Sequence, residues 1–228
     1  MFPIRDHNPS QKLPLINFLI ILLTSFVFFL QLTTPDMEQF IFRFALIPRN
    51  IDFAHPVSLL PFIYSMFLHG GWLHIISNMW FLWIFGDNIE SYLGHFVYLL
   101  FYLLTGLAAG FAQYILMPNS PIPTLGASGA ISGILGAYLV LYPKHKIDTL
   151  VFVFGGFLQK VQLPSSIMLG YWFIIQLFSG IGSFGIGSEG GVAWWAHIGG
   201  FAAGFLLIQL FRNKKSEKEN IIKGEIVA

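Results

Sequence analysis

The sequence predicts an all-α polytopic membrane protein: six transmembrane helices in one bundle, with a short fourth helix at its centre. Three observations predict it. Of 228 residues, 55% are hydrophobic and only 10% charged, against about 25% charged in ordinary soluble domains, too few to cover a water-exposed surface. Six apolar stretches approach the ~20 residues that cross a ~30 Å hydrocarbon core. The aromatic content is high, at 17% with 25 Phe, which suits lipid contact, while Tyr and Trp suit the two interfaces.

The first span is Leu13 to Leu32, preceded by Arg5 and Lys12 and lacking a small-residue cleavage site. It reads as a retained anchor rather than a signal peptide. Residues 1–12 are then a cytoplasmic amino-terminal segment. Residues 33–66 hold Arg43, Arg49, Pro48 and Pro56 among five phenylalanines, a loop too apolar for a solvated linker and expected in the interface. The second span runs from Trp72 to about Leu93, with a turn near Gly94. The third runs from Phe96 to Met117 and ends at Pro118, Pro121 and Pro123. The fourth, Ser128 to Tyr142, covers only ~22 Å. Its Gly, Ala and Ser let neighbouring helices approach closely.

Residues 147–158 are too short to cross and are flanked by Lys144, Lys146 and Lys160, which suggests a cytoplasmic surface segment. The fifth span is Ile167 to Ser179. A flexible Gly-rich loop follows, Gly180 to Gly191. The sixth span is Val192 to Phe211, and a charged tail begins at Arg212. The expected organisation is one domain over 13–211 with a cytoplasmic tail over 212–228. Basic residues at the amino end, after span four and in the tail place both termini in the cytoplasm. Arg43 and Arg49 run against that majority.

This topology starts spans two, four and six on the same side. His74, Ser128 and His197 then lie near the starts of three helices, and five residues into a helix is ~7.5 Å of depth. A hydroxyl and an imidazole at one shallow level are the minimum for serine hydrolysis, because serine is a weak nucleophile until a base takes its proton. A carboxylate normally orients such a histidine. All 11 Asp and Glu lie in loops, tails or segment ends, with Glu189 the nearest candidate, so the expectation is a Ser128–His197 dyad whose imidazole is held by helix packing. His74 and Asn78, four apart on one helical face, and the Ser128 amide at a helix start are candidate donors to an oxyanion.

Each feature has a structural alternative. Gly129-x-x-x-Gly133 and Gly200-x-x-x-Gly204 are close-contact spacings whatever the function, and a lone intramembrane histidine can simply satisfy a hydrogen bond. His7, His55, His69, His95 and His145 look like interface or loop residues. Other classes find less support. The net charge of +1 and the lack of a basic stripe give no reason to expect nucleic acid. There is no cysteine, hence no thiol nucleophile, and no His-Glu-x-x-His zinc motif. No span carries Asp in its interior, and neither repeat symmetry nor midplane charge marks a transporter. No metal or cofactor is expected.

The segment GWLHIISNMWFLWIFGDNIESYLG with His74-x-x-x-Asn78, the Gly126-x-Ser128-Gly129 motif and AHIGGFAAG with His197 resemble the rhomboid family of intramembrane serine proteases over residues 58–211. The resemblance implies a six-helix fold with Ser128 as nucleophile and His197 as general base. It also implies an oxyanion hole of His74, Asn78 and the Ser128 amide. Two departures stand out. Where some members place a tyrosine one turn after the nucleophile, this chain has Ser132, so another group must brace His197. The first loop also lacks the Trp-Arg pair of some members.

The expected function is a serine endopeptidase that cuts the transmembrane segments of membrane proteins within the lipid bilayer. The alternative is a non-catalytic rhomboid-like protein that binds such segments. The expected location is a bacterial plasma membrane.

Overall fold

A computed structural model describes residues 1–8, 13–152, 158–183 and 192–222, with side chains as far as Arg212. Strand β1 (Phe2–Asp6) precedes α1 (Leu15–Thr33), the short α2 (Met37–Phe44) and a run of tight turns that includes α3 (Pro61–Tyr64). Then come α4 (Trp72–Leu93), α5 (His95–Leu116), α6 (Ser128–Leu141), the strands β2 (Lys146–Phe152) and β3 (Leu158–Pro164), α7 (Ser165–Gly182) and α8 (Trp194–Ile222).

The long helices fall where the apolar runs predict them. By length and composition α1, α5, α7 and the Trp194–Arg212 part of α8 suffice to cross a membrane. Pro56–Phe67 and α4 suffice together, though bent by 79°, whereas α6 is shorter, with 14 residues. The architecture is mostly helical, as in a rhomboid-type bundle.

One expectation needs correction. The fold is not all-α: β1, β2 and β3 form a three-stranded antiparallel sheet. Residues 147–158, read as a surface segment, include all of β2 but Lys146, and β2 pairs with β3 from Lys146 opposite Pro164 to Phe152 opposite Leu158. The amino-terminal segment supplies its edge strand, Phe2 opposite Leu150 and Asp6 opposite Ile147. Ile147, Asp148 and Thr149 are buried. The backbone of α8 continues as helix past Arg212 to Ile222, into the charged segment.

Local chemistry explains the boundaries. The first turn of α1 has no side-chain cap of its own. The buried Glu90 carboxylate at the far end of α4 accepts instead from the Ile16 and Asn17 amides, at 2.9 and 2.7 Å, satisfying donors a helix start leaves unpaired. Asp36 caps α2 by accepting from the Gln39 amide at 2.8 Å. Gly94, at φ +81°, joins α4 to α5 without a loop. The Asp6 carboxylate accepts from Asn88 at 2.7 Å and Tyr138 at 3.0 Å, tying the sheet to α4 and α6. Burial pushes this carboxyl above its ordinary value.

At the centre, α6 is buried from Gly129 through Tyr138 and runs parallel to α8. A Cβ on Gly200 would stand 2.0 Å from the Gly129 carbonyl oxygen, and one on Gly204 1.9 Å from that of Gly133. α5 runs antiparallel to α6, with Ala109 against Gly129 and Thr105 against Gly133. Only hydrogen fits at the two α8 positions. Gly204→Ala should therefore cost roughly 1–3 kcal/mol of unfolding free energy by overpacking. Gly170→Ala on α7, with nothing within 4 Å of its added methyl, should cost nothing measurable. Thermal unfolding in detergent reads both, and equal melting temperatures would contradict the seam.

Asp148 gives a second test. It accepts from Lys160 at 2.7 Å and His7 at 2.8 Å, and the ammonium, then the imidazole, holds its carboxyl well below the usual range. A folded-state value lower than the unfolded one adds stability above the ordinary pKa of about 3.9, lost as pH falls through the depressed value. Asp148→Asn should melt a few degrees below the parent at neutral pH, and the gap should close as the solution is acidified below about pH 4. A gap that does not change with pH refutes the assignment.

Candidate functional site

The parallel seam places the first residue of α6 beside the fourth of α8. Ser128 Oγ lies 2.8 Å from His197 Nε2, across 69 residues of sequence. Both line a cavity of about 690 Å³ with His74 and Asn78 of α4, so one recess collects all four side chains singled out from the sequence.

The loop into Ser128 is fixed by backbone. Leu46 and Thr124 exchange two hydrogen bonds, at 3.0 and 2.7 Å, and the Gly126 amide donates to the Ser65 carbonyl at 2.8 Å. The apolar first loop thus holds the serine loop directly. It is seated by stacking of Phe62 on Phe111, centroids 4.5 Å apart, with no tryptophan involved. Gly126 adopts φ +119°, a conformation side chains resist, and a Cβ there would lie 2.7 Å from His74 Nε2 and 3.6 Å from Ser128 Oγ. The missing side chain leaves the space between those two groups open.

His74 and Asn78 are each oriented by a hydrogen bond. His74 Nδ1 accepts from the Gly70 amide at 3.3 Å, which leaves the ring proton on Nε2, the nitrogen beside Gly126. Asn78 Nδ2 donates one of its two protons to the His74 carbonyl, 3.0 Å away, leaving the other for the cavity. At the amino end of α6 the Ser128 amide has no partner within the helix. Ser132, in the position one turn on, donates back to the Ser128 carbonyl at 2.6 Å and does not reach the imidazole.

The brace on His197 differs from the expectation. Packing alone does not hold the ring: His197 Nδ1 is hydrogen-bonded to Gln176 Oε1 of α7, at 2.6 Å. Trp172, one turn earlier on α7, lies with its ring 6.0 Å from the imidazole, and Trp194 approaches edge-on at 6.4 Å. Glu189 lies outside the described residues. The sequence reading missed Gln176, although a carboxamide inside an apolar span, four residues after a tryptophan, was a usable signal.

His69 was read as an interface or loop residue. It is fully buried, its ring edge-on to His74 at 4.9 Å, and its amide and carbonyl are both clasped by Gln31 at 3.0 Å. Three other histidines hold acids away from the cavity: His7 with Asp148, His55 with Asp52, His95 with Glu90. His145 packs against Tyr142. Among the described residues no His, Asp and Glu are grouped as a metal ion requires.

Comparison with known proteins agrees with this architecture. The chain is 38% identical over 73 residues to Rhomboid-like protein 11, chloroplastic, of Arabidopsis thaliana, covering 32% of this chain and 26% of that protein. It is 31% identical over 115 residues to Presenilin-associated rhomboid-like protein A, mitochondrial, of Danio rerio, covering 50% and 29%. It is 32% identical over 124 residues to Rhomboid protein 1, mitochondrial, of Saccharomyces cerevisiae, covering 53% and 34%. The aligned segments thus span about a quarter to a third of these relatives' length. Their names are organellar and lend nothing to the bacterial plasma membrane expected from the sequence. The model of the Rhomboid domain matches residues 56–214, and the chain belongs to the rhomboid family.

Proposed function

We propose that this protein is an intramembrane serine endopeptidase that cuts transmembrane segments of other membrane proteins. The observation that carries the reading is the 2.8 Å contact of Ser128 Oγ with His197 Nε2 within the bundle. In the proposed reaction Nε2 takes the hydroxyl proton as Oγ attacks a peptide carbonyl carbon. The tetrahedral oxyanion is received by His74 Nε2–H, Asn78 and the Ser128 amide, and loss of one such donor typically costs ~10²–10³ in rate. The imidazolium then protonates the leaving amine. A water, deprotonated by the same nitrogen, hydrolyses the acyl-serine.

A helix hides its carbonyls in its own hydrogen bonds, so a substrate segment must unwind to reach Ser128. Helix-weak residues such as Gly near the cut are favoured for that reason. In this reading all six apolar helices are spans, the short α6 shielded by its neighbours. Both termini face the cytoplasm, as the basic residues favour, and substrate enters laterally past α7.

Purified protein incubated with a panel of transmembrane reporters tests the proposal. Cleavage should vanish in Ser128→Ala and in His197→Ala while melting temperatures stay within a few degrees of the parent. Cleavage retained by either variant rules out the mechanism. A parent that binds reporters but neither cuts them nor accepts a small serine-directed electrophile on Ser128 would be a segment-binding protein instead.

A further inference from the structure

Gln176 is the one polar side chain of α7 that reaches His197, and it is buried. A neutral imidazole exists as two tautomers, and only the form with its proton on Nδ1 leaves Nε2 free to take a proton from Ser128. The carboxamide oxygen can accept but not donate. At 2.6 Å from Nδ1 it selects that form. The Trp172 ring on the same face of α7 limits rotation of the imidazole out of the arrangement.

We infer that Gln176 is a positioning residue: its carbonyl oxygen keeps the His197 proton on Nδ1 and aims Nε2 at Ser128, the task a carboxylate has in Ser-His-Asp enzymes. This rests on the proposed hydrolytic reading. Unlike a carboxylate, the carboxamide places no second charge beside the imidazolium, so its contribution is tautomer and aim. The same residue ties base competence to the seat of α7. Tyr171, Ile174 and Phe178 on that helix are exposed, and displacement of α7 from α8 would withdraw the acceptor.

The experiment compares the parent protein with Gln176→Met, of similar length but without an acceptor, and Gln176→Glu, which restores one. The expected loss in Gln176→Met is roughly 10²–10³-fold in kcat on a transmembrane reporter, the scale of general-base assistance. KM should stay within about twofold, because the substrate-facing groups are untouched, and Gln176→Glu should recover most of the rate. In ¹⁵N-histidine spectra the parent should show His197 with a protonated Nδ1 and a bare Nε2, and Gln176→Met should show the mixture. A Gln176→Met that cuts at the parental rate, a loss that Glu does not restore, or a parent carrying its proton on Nε2 would each overturn the assignment. The spectrum needs no turnover. A parent with the assigned tautomer that cleaves nothing would therefore remove the proteolytic reading and leave the positioning one intact.

Discussion

The contact between α6 and α8 governs the rest of the molecule, because there two backbones meet with no side chain between them. Gly200 and Gly204 stand against the carbonyls of Gly129 and Gly133 at separations that only hydrogen tolerates. In lipid, helices gain little from hiding apolar surface, since the solvent is equally apolar, and close backbone packing supplies the attraction instead. The seam is parallel and in register, so it brings two helix starts to one level. One start carries a hydroxyl, and the imidazole sits one turn into the other. The packing brings the two residues to one level, and the Gln176 contact orients the imidazole across it.

Around that fixed pair the supporting groups differ in how firmly they are held. His74 and Asn78 belong to α4, whose far end is tied to α1 through Glu90 and to the sheet through Asn88 and Asp6. The loop into Ser128 is pinned by backbone bonds to the first loop. α7 is different. Its amino end is secured by the Ser165 and Ser166 amides, which donate to the His145 and Pro143 carbonyls. Nearer the cavity it touches the imidazole through Gln176 and Trp172. His74 and Asn78 thus stand on a helix tied at its far end by side-chain hydrogen bonds, while Gln176 stands on α7, whose cavity end rests on α8 through apolar packing such as Phe173 on Phe201.

Much of this was legible in the sequence. Apolar run lengths mark the long helices to within a few residues, and the four-residue glycine spacings mark close contacts, though not that the two face each other. Ser128, His197, His74 and Asn78 fall into one cavity because three helices start on one side, which positional arithmetic can anticipate. The sheet was hidden for a physical reason. Its strands are short, and β1 finds its partner beyond six helices, so no local pattern announces that pairing. Gln176 carries no charge to mark it as a histidine partner, because inside a bundle a neutral acceptor avoids the cost of a buried charge.

The sheet carries a consequence for biogenesis. β1 leaves the ribosome before α1 to α6 and its partner strand β2 after them, with His7 and Asp148 separated by 141 positions. At translation speeds of 5–20 residues per second the leading strand waits on the order of ten seconds, its amides unpaired, while α1 to α6 are synthesised. Until β2 arrives, Asp6 lacks the strand pairing that holds it against Asn88 and Tyr138. Completion of the sheet is then a late event in maturation, and a bulky fusion beside Phe2 would obstruct it.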